Sequence, residues 1–251
     1  HSLGRGASTT AALLARATEV GLDSLALTDR DNLYGAISFL SRAEETGIHP
    51  VLGAEITPRF GDPTRDEGIR GCARGASQTE GAVVLLVREP AGYASLCRIL
   101  TARNLAPEFD PEDAVARWSA GTAVLVREPG LLERLHAKLP RGSLYAAVVR
   151  PAASLAGERL LRATARRLGC PLVGTPDVYF ARPEDRETHR VLAAIRELEM
   201  VSRLYAAALA PPTAYLADPG EIFARFADDP SLLIAARELA LSCRFSRRDL
   251  P

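Results

Sequence analysis

Three short apolar runs in this chain lead into an acid. Ser24-Leu25-Ala26-Leu27-Thr28 runs into Asp29, Pro50-Val51-Leu52-Gly53-Ala54 into Glu55, and Pro171-Leu172-Val173-Gly174 into Asp177 by way of Thr175 and Pro176. An acid at the C-terminal end of a strand is where α/β barrels place metal-binding and catalytic groups. Carboxylates gathered on one rim suit a hard divalent cation, and with imidazole ligands beside them they suit metal-assisted hydrolysis. Each acid also has a plainer role. Asp29, just after a strand, suits the N-cap of a helix, and Glu55 and Asp177 taken singly are surface acids.

The elements that must position these acids alternate. Ser24–Thr28, Pro50–Ile56, Ala82–Val87, Thr122–Val126, Leu144–Val149 and Pro171–Gly174 are short apolar runs and are predicted strands. Amphipathic stretches are predicted helices at Thr10–Val20, Leu33–Thr46, Ala91–Arg103, Pro111–Trp118, Leu131–Lys138, Ala153–Leu168 and Pro183–Leu198. This alternation predicts parallel strands joined by crossover helices. It does not separate a barrel from an open sheet. Pro58–Thr79, rich in Gly, Arg and Asp and without periodicity, reads as a surface loop. Two further helices are expected at Pro219–Phe226 and Asp229–Cys243, the second with Asp229 as N-cap and Pro230 at its first position.

At 251 residues, 47% of them hydrophobic and 25% charged, the chain is of a size and composition for one large core. Lys and Arg number 31, as do Asp and Glu, so there is no global basic signal for nucleic acid. Cys72, Cys97, Cys170 and Cys243 form no C-x-x-C pair and read as reduced thiols of a cytoplasmic protein. No apolar run is long enough to span a membrane. The chain opens on His1, which reads as the start of a fragment.

Several segments in order resemble one family. They are Thr28-Asp29-Arg30-Asp31-Asn32-Leu33-Tyr34-Gly35, Gly47-Ile48-His49-Pro50, Ala91–Leu100, the helix opened by Pro183-Glu184-Asp185, Tyr215–Phe223, and Arg248-Asp249-Leu250-Pro251. Together they resemble the PHP (polymerase and histidinol phosphatase) domain at the N-terminus of bacterial DNA polymerase III α subunits, in the form nearest the error-prone DnaE type. The resemblance implies a distorted parallel β/α barrel of about seven strands over residues 1–210. Residues 211–251 would then be a C-terminal helical extension leading toward a polymerase palm domain that is not in this chain.

The resemblance also implies a metal centre and exposes its losses. The family's opening His-x-His-Ser is represented by His1-Ser2. Its Asp-His is Asp29-Arg30, its strand-end Glu is Glu55, and its Asn-Asp-Val-His is Pro176-Asp177-Val178-Tyr179. Ala82 and Pro151 stand at two further ligand positions. The residual ligand set is therefore His1, Asp29, Glu55 and Asp177. Arg cannot be deprotonated and cannot ligate, and Ala and Pro offer no side-chain donor. The expectation is no cofactor, or at most a weakly held Zn²⁺, Mn²⁺ or Mg²⁺. Arg30 is expected in the metal's place, paired with Glu55 or Asp177. Tyr179 and His189 are expected behind the site, with a helix-surface position as the plainer reading of His189. His49, His136, Tyr93 and Trp118 read as structural.

Two function classes follow from the resemblance. One is a non-catalytic scaffold and partner-docking domain of a DNA polymerase in replication or repair synthesis. Its partners would be the rest of the α subunit, a proofreading exonuclease or other replisome proteins, and DNA through the parent nucleotidyltransferase. The other is a metal-dependent phosphoesterase, either a 3′–5′ exonuclease or a small-molecule phosphatase.

Overall fold

The structure, a computed structural model, describes residues 6–59, 81–151 and 154–250. His1 and residues 60–80 of the Gly- and Arg-rich loop lie outside the described residues. The order is α1 (Thr10–Glu19), β1 (Ser24–Arg30), α2 (Ala36–Thr46), β2 (His49–Ile56), β3 (Val83–Val87), α3 (Pro90–Leu105), α4 (Pro111–Trp118), β4 (Thr122–Val126), α5 (Pro129–His136), β5 (Leu144–Arg150), α6 (Leu155–Leu168), β6 (Leu172–Pro176), α7 (Arg186–Glu197), α8 (Pro219–Arg225) and α9 (Ser231–Ser242). α3, α4, α5 and α8 each open on a proline, where a fixed φ helps and the missing N–H has no helical partner to lose.

Among the described residues six strands form one curled, mixed sheet in chain order, a half-barrel with helices consistent with the distorted β/α barrel expected. The pairs β1–β2, β4–β5 and β5–β6 are parallel. β3 is antiparallel to both of its neighbours, against the all-parallel reading. The sequence between Ile56 and Val83 carries no helical periodicity. Parallel neighbours need a long crossover connection, usually a helix, and the sequence here carries no pattern for one. The reversal leaves β1, β2, β4, β5 and β6 ending on one rim, where β3 begins.

The strands alternate between two apolar faces. Leu52, Ala54, Val83, Leu85, Val124, Val126, Leu144 and Ala146 face the large core under the flanking helices. Val51, Leu86, Ala123, Leu125, Ala147 and Val173 face the other way and pack on Leu239 and Cys243 of α9. These residues cluster toward the end of the sheet opposite the acid-bearing rim. α9 touches both edge strands, β6 and β1. The His49 Nε2 atom is 3.0 Å from the Ala240 carbonyl oxygen, and Arg237 pairs with Asp23 at 2.8 Å. The start of α9 packs on the outside of β6. A Cβ at Gly174 would lie 2.9 Å from the Phe226 ring and 3.1 Å from Leu232, so only glycine admits this seat. Burial pushes the Cys243 thiol up to about 11, which keeps it protonated and apolar in character.

One helix end differs from expectation. α9 begins at Ser231 with Pro230 before it and no side-chain cap. The Asp229 carboxylate is taken up instead by the Ser231 hydroxyl and Arg162. Tyr93 and Trp118 pack against the main core, and Tyr93 stacks on Phe245 at 5.0 Å.

Leu239 is 4% exposed and Leu241 45% exposed on the same helix. If α9 is an integral part of the core, Leu239→Ala loses about 2–4 kcal/mol in urea unfolding and Leu241→Ala less than about 0.5 kcal/mol.

Candidate functional site: a rim of paired charges

The parallel register sets Arg30 of β1 opposite Glu55 of β2. Their side chains sit at ion-pair distance, Nε to Oε2 3.4 Å, and are 15% and 16% exposed. Across the sheet Arg127, the residue after β4, grips Asp177, the residue after β6. Arg127 Nη2 donates to Oδ1 at 2.7 Å and Nη1 to Oδ2 at 3.1 Å. This two-point fork is the strongest geometry available to a guanidinium and a carboxylate. Burial disfavours the charge on Arg127, but Asp177 and Glu55 outweigh it, with a smaller contribution from Tyr179, and its pKa is raised. Arg127 therefore feels both acids of the rim.

Asp31 straps the β1–β2 end together. It has φ +56°, a left-handed conformation that few residues other than glycine adopt. Its N–H donates to the Glu55 carbonyl at 2.8 Å. Its carboxylate accepts from the Thr57 N–H at 2.9 Å and the Thr57 hydroxyl at 2.7 Å, and pairs with Arg103 at 3.1 Å. These contacts fix the chain on both sides of Arg30 and Glu55. One layer below, a Cβ on Gly53 would stand 2.3 Å from the Leu85 carbonyl oxygen, so β2 and β3 approach closely under Glu55.

Asp29 is placed differently. It shares a face of β1 with Leu25 and Leu27, which pack in the helix-covered core, and is 4% exposed. Its Oδ2 accepts the Gly35 N–H at 3.2 Å at the start of α2, the kind of contact a helix N-terminus favours. His189 is buried at 1% exposure, which overturns a helix-surface position. Its Nε2 accepts the Ala210 N–H at 2.9 Å, and the Tyr179 and Phe180 rings stand 5.7 and 5.9 Å away. Ala82 is buried at the foot of β3, and Pro151 is exposed past the end of β5.

Arg127 is the rim residue that the sequence reading missed. Leu-Val-Arg-Glu-Pro occurs twice, at Leu86–Pro90 and Leu125–Pro129, each time ending a strand and opening a helix. Because β3 and β4 are antiparallel, the two copies lie at opposite ends of the sheet. Arg88 donates to the Tyr145 hydroxyl at 2.7 Å and the Gly142 carbonyl at 3.1 Å, whereas Arg127 holds Asp177. Only the strand direction separates them.

Among the described residues no group of three or more His, Cys, Asp or Glu side chains is arranged to hold an ion. The two rim carboxylates already face guanidiniums, which cannot ligate. Glu55 and Asp177 are thus engaged by arginines, and His1, another expected ligand, lies outside the described residues.

A curled sheet with helices outside and acids at the strand ends defines an α/β-barrel class of protein. The PHP domain family model matches residues 1–146, and the chain belongs to the PHP domain family. It is 31% identical over 256 residues to an error-prone DNA polymerase from Anaeromyxobacter sp. (strain K), covering 96% of this chain and 21% of that protein. It is 32% identical over 267 residues to one from Mycolicibacterium paratuberculosis, covering 96% and 23%, and 28% identical over 302 residues to one from Nocardia farcinica, covering 97% and 26%. The chain thus spans about a fifth to a quarter of the length of these curated relatives. An amidohydrolase structure from Chromobacterium violaceum is 19% identical with a TM-score of 0.47, over 70% of this chain and 84% of that one. No helix among the described residues is long and apolar enough to cross a membrane.

The fork makes a quantitative prediction. Arg127 and Asp177 are 30% and 28% exposed, so solvent screens part of their attraction. A double-mutant cycle with Arg127→Ala and Asp177→Ala in urea unfolding gives a coupling of about 1–2 kcal/mol. The same cycle on the open pair Arg237–Asp23, 62% and 59% exposed, gives a coupling close to zero.

Proposed function

We propose that this chain is a non-hydrolytic scaffold domain of an error-prone-type DNA polymerase polypeptide, with two guanidinium–carboxylate pairs in place of a metal centre. The observation that carries this reading is the arrangement at the rim: Arg30 on Glu55 and Arg127 on Asp177. Two bare carboxylates in a half-buried cleft repel each other, which disfavours their charged forms. A metal cation removes that repulsion, and so does a guanidinium. A guanidinium carries its charge at every accessible pH but offers neither an open coordination position nor an acidified water. The rim keeps the structural half of a metal's work and loses the hydrolytic half. In this reading Arg30 is a metal substitute, and Tyr179 and His189 support Asp177 and its loop from behind.

The relatives' names and lengths support a polymerase as the parent, in which this domain acts in replication or repair synthesis in the cytoplasm. Its first partner is then the remainder of that polypeptide. A proofreading exonuclease or another replisome protein is a further partner class, and DNA is met through the parent. Residues 1–210 serve as the barrel and 211–251 as the segment leading on toward the polymerase core.

The test is hydrolysis. The purified chain, given labelled single-stranded DNA 3′ ends or a generic phosphomonoester with Mn²⁺ or Zn²⁺, should turn over neither above a metal-only blank. Turnover abolished by Asp29→Ala or Asp177→Ala would establish the phosphoesterase instead.

A further inference from the structure

A cleft of about 600 Å³ opens between α6 and the α8–α9 corner. Arg150, Arg159, Arg162, Arg166 and Arg225 line it. Glu158, Asp228 and Asp229 are its acids. Arg150 ends β5 on the side of Val148, and its guanidinium stands 5.9 Å from the Phe226 ring centre. The cleft therefore lies on the outer face of the sheet and reaches its rim end through Arg150.

The charges in it are sorted by depth. Arg150 Nη2 pairs with Glu158 at 2.8 Å and Asp228 at 2.9 Å. Arg162 pairs with Glu158 at 2.8 Å and Asp229 at 2.6 Å. Glu221 holds Arg225 at 2.6 Å from beyond the lining. The lining acids form their ion pairs with Arg150 and Arg162, which with Arg225 are the inner arginines at 11–19% side-chain exposure, and Asp229 also feels the charge of Arg166. Arg159 and Arg166 are exposed at the mouth and make no ion pair among the described residues. In a chain with no net charge this is a local excess of cation, not a consequence of composition.

The spacing selects a ligand. Arg159 and Arg166 are seven residues apart on one helix, about 10.5 Å along its axis. Arg162 lies between them on the same face. Each strand of B-form DNA carries one phosphate per about 3.4 Å of duplex axis, so the two outer guanidiniums are far enough apart to meet separate phosphates of one strand. Guanidinium forks match phosphate oxygens in geometry as well as charge.

We propose that the α6 cleft binds the phosphodiester backbone of a DNA strand, with Arg159 and Arg166 as the contacting cations and Arg162 held behind them by Asp229. The choice of DNA rests on the polymerase reading above; the geometry of the cleft does not.

The experiment is fluorescence anisotropy of fluorescein-labelled single-stranded and duplex oligonucleotides with the full chain, from 50 to 200 mM salt. The charge-reversal pair Arg159→Glu/Arg166→Glu should weaken binding at least tenfold at 50 mM salt. It should also flatten the slope of log K against log salt by about two, because each lost phosphate contact removes about 0.7–0.9. The pair Arg42→Glu/Arg141→Glu changes net charge equally at two other exposed arginines and should weaken binding less than threefold. Matched thermal unfolding midpoints confirm that both variants fold. Equal losses in the two pairs, or no salt-dependent binding by the unaltered chain at 50 mM, would overturn the proposal. So would displacement of DNA by inorganic phosphate, a deoxynucleoside triphosphate or poly-glutamate at equal charge. None of these variants touches the rim, so a failure here and a positive hydrolysis assay are separate results.

Discussion

Opposite charges crowd onto one rim of this sheet, and the rim is tolerable only because each is answered. Asp177 is gripped at two points by Arg127, Glu55 faces Arg30, and Glu55 and Asp177 together raise the pKa of Arg127. An unanswered charge at such a depth costs several kcal/mol. Removing Arg127 would leave Asp177 without its two-point partner, and removing Arg30 would leave Glu55 without its nearest cation. The pairing also spans strands that are not neighbours. Arg127 and Asp177 link the end of β4 to the end of β6 across β5, while Arg30 and Glu55 join the neighbours β1 and β2, so the charges fasten the curled edge of the sheet as well as neutralise it.

The rest of the fold serves that rim from below and from the side. β3 runs backward, which brings its start and the ends of five other strands to one place. Asp31 accepts a left-handed backbone in exchange for contacts to Glu55, Thr57 and Arg103, and so holds the β1–β2 end in register. Under the charges lies an apolar floor, with Leu239 and Cys243 of α9 against Val51, Leu86 and Val173. The outer end of the same helix is tied to α6 by Arg162 and Asp229. Polar rim, dry floor and outer arginine network are thus three layers joined by α9.

Much of this was legible in the residues. All six strands and the helices lie close to where the apolar runs and helical patterning put them, with Asp29 and Glu55 near the ends of β1 and β2 and Asp177 just past β6. The direction of β3 was not carried by the alternation itself. The alternation predicted a parallel strand, and the missing helical period between Ile56 and Val83 was a weaker signal that the reading did not use. Asp29 shows the limit of counting acids at strand ends. Its position in β1 buries the carboxylate, whose Oδ2 accepts the Gly35 N–H ahead of α2. Arg127 was hidden for a physical reason. The pentapeptide around it also surrounds Arg88, and local sequence is blind to which end of a sheet a strand exit occupies. His189 offered a titratable side chain on an amphipathic helix, and only the packing of Tyr179 and Phe180 distinguishes a buried acceptor from a surface group.

Whether guanidiniums have taken over the work of a metal is decided most directly by thermal unfolding of the unaltered chain in EDTA and with added Zn²⁺ or Mn²⁺. Paired arginines give the same midpoint, within about 1 °C, in every condition, because no ion binds the folded state preferentially. A resident site would behave otherwise: an ion at a hundred times its Kd adds about 2.7 kcal/mol, or roughly 5–10 °C for a domain of this size. A saturable rise of that kind, reversed by EDTA, would contradict the replacement of metal by arginine.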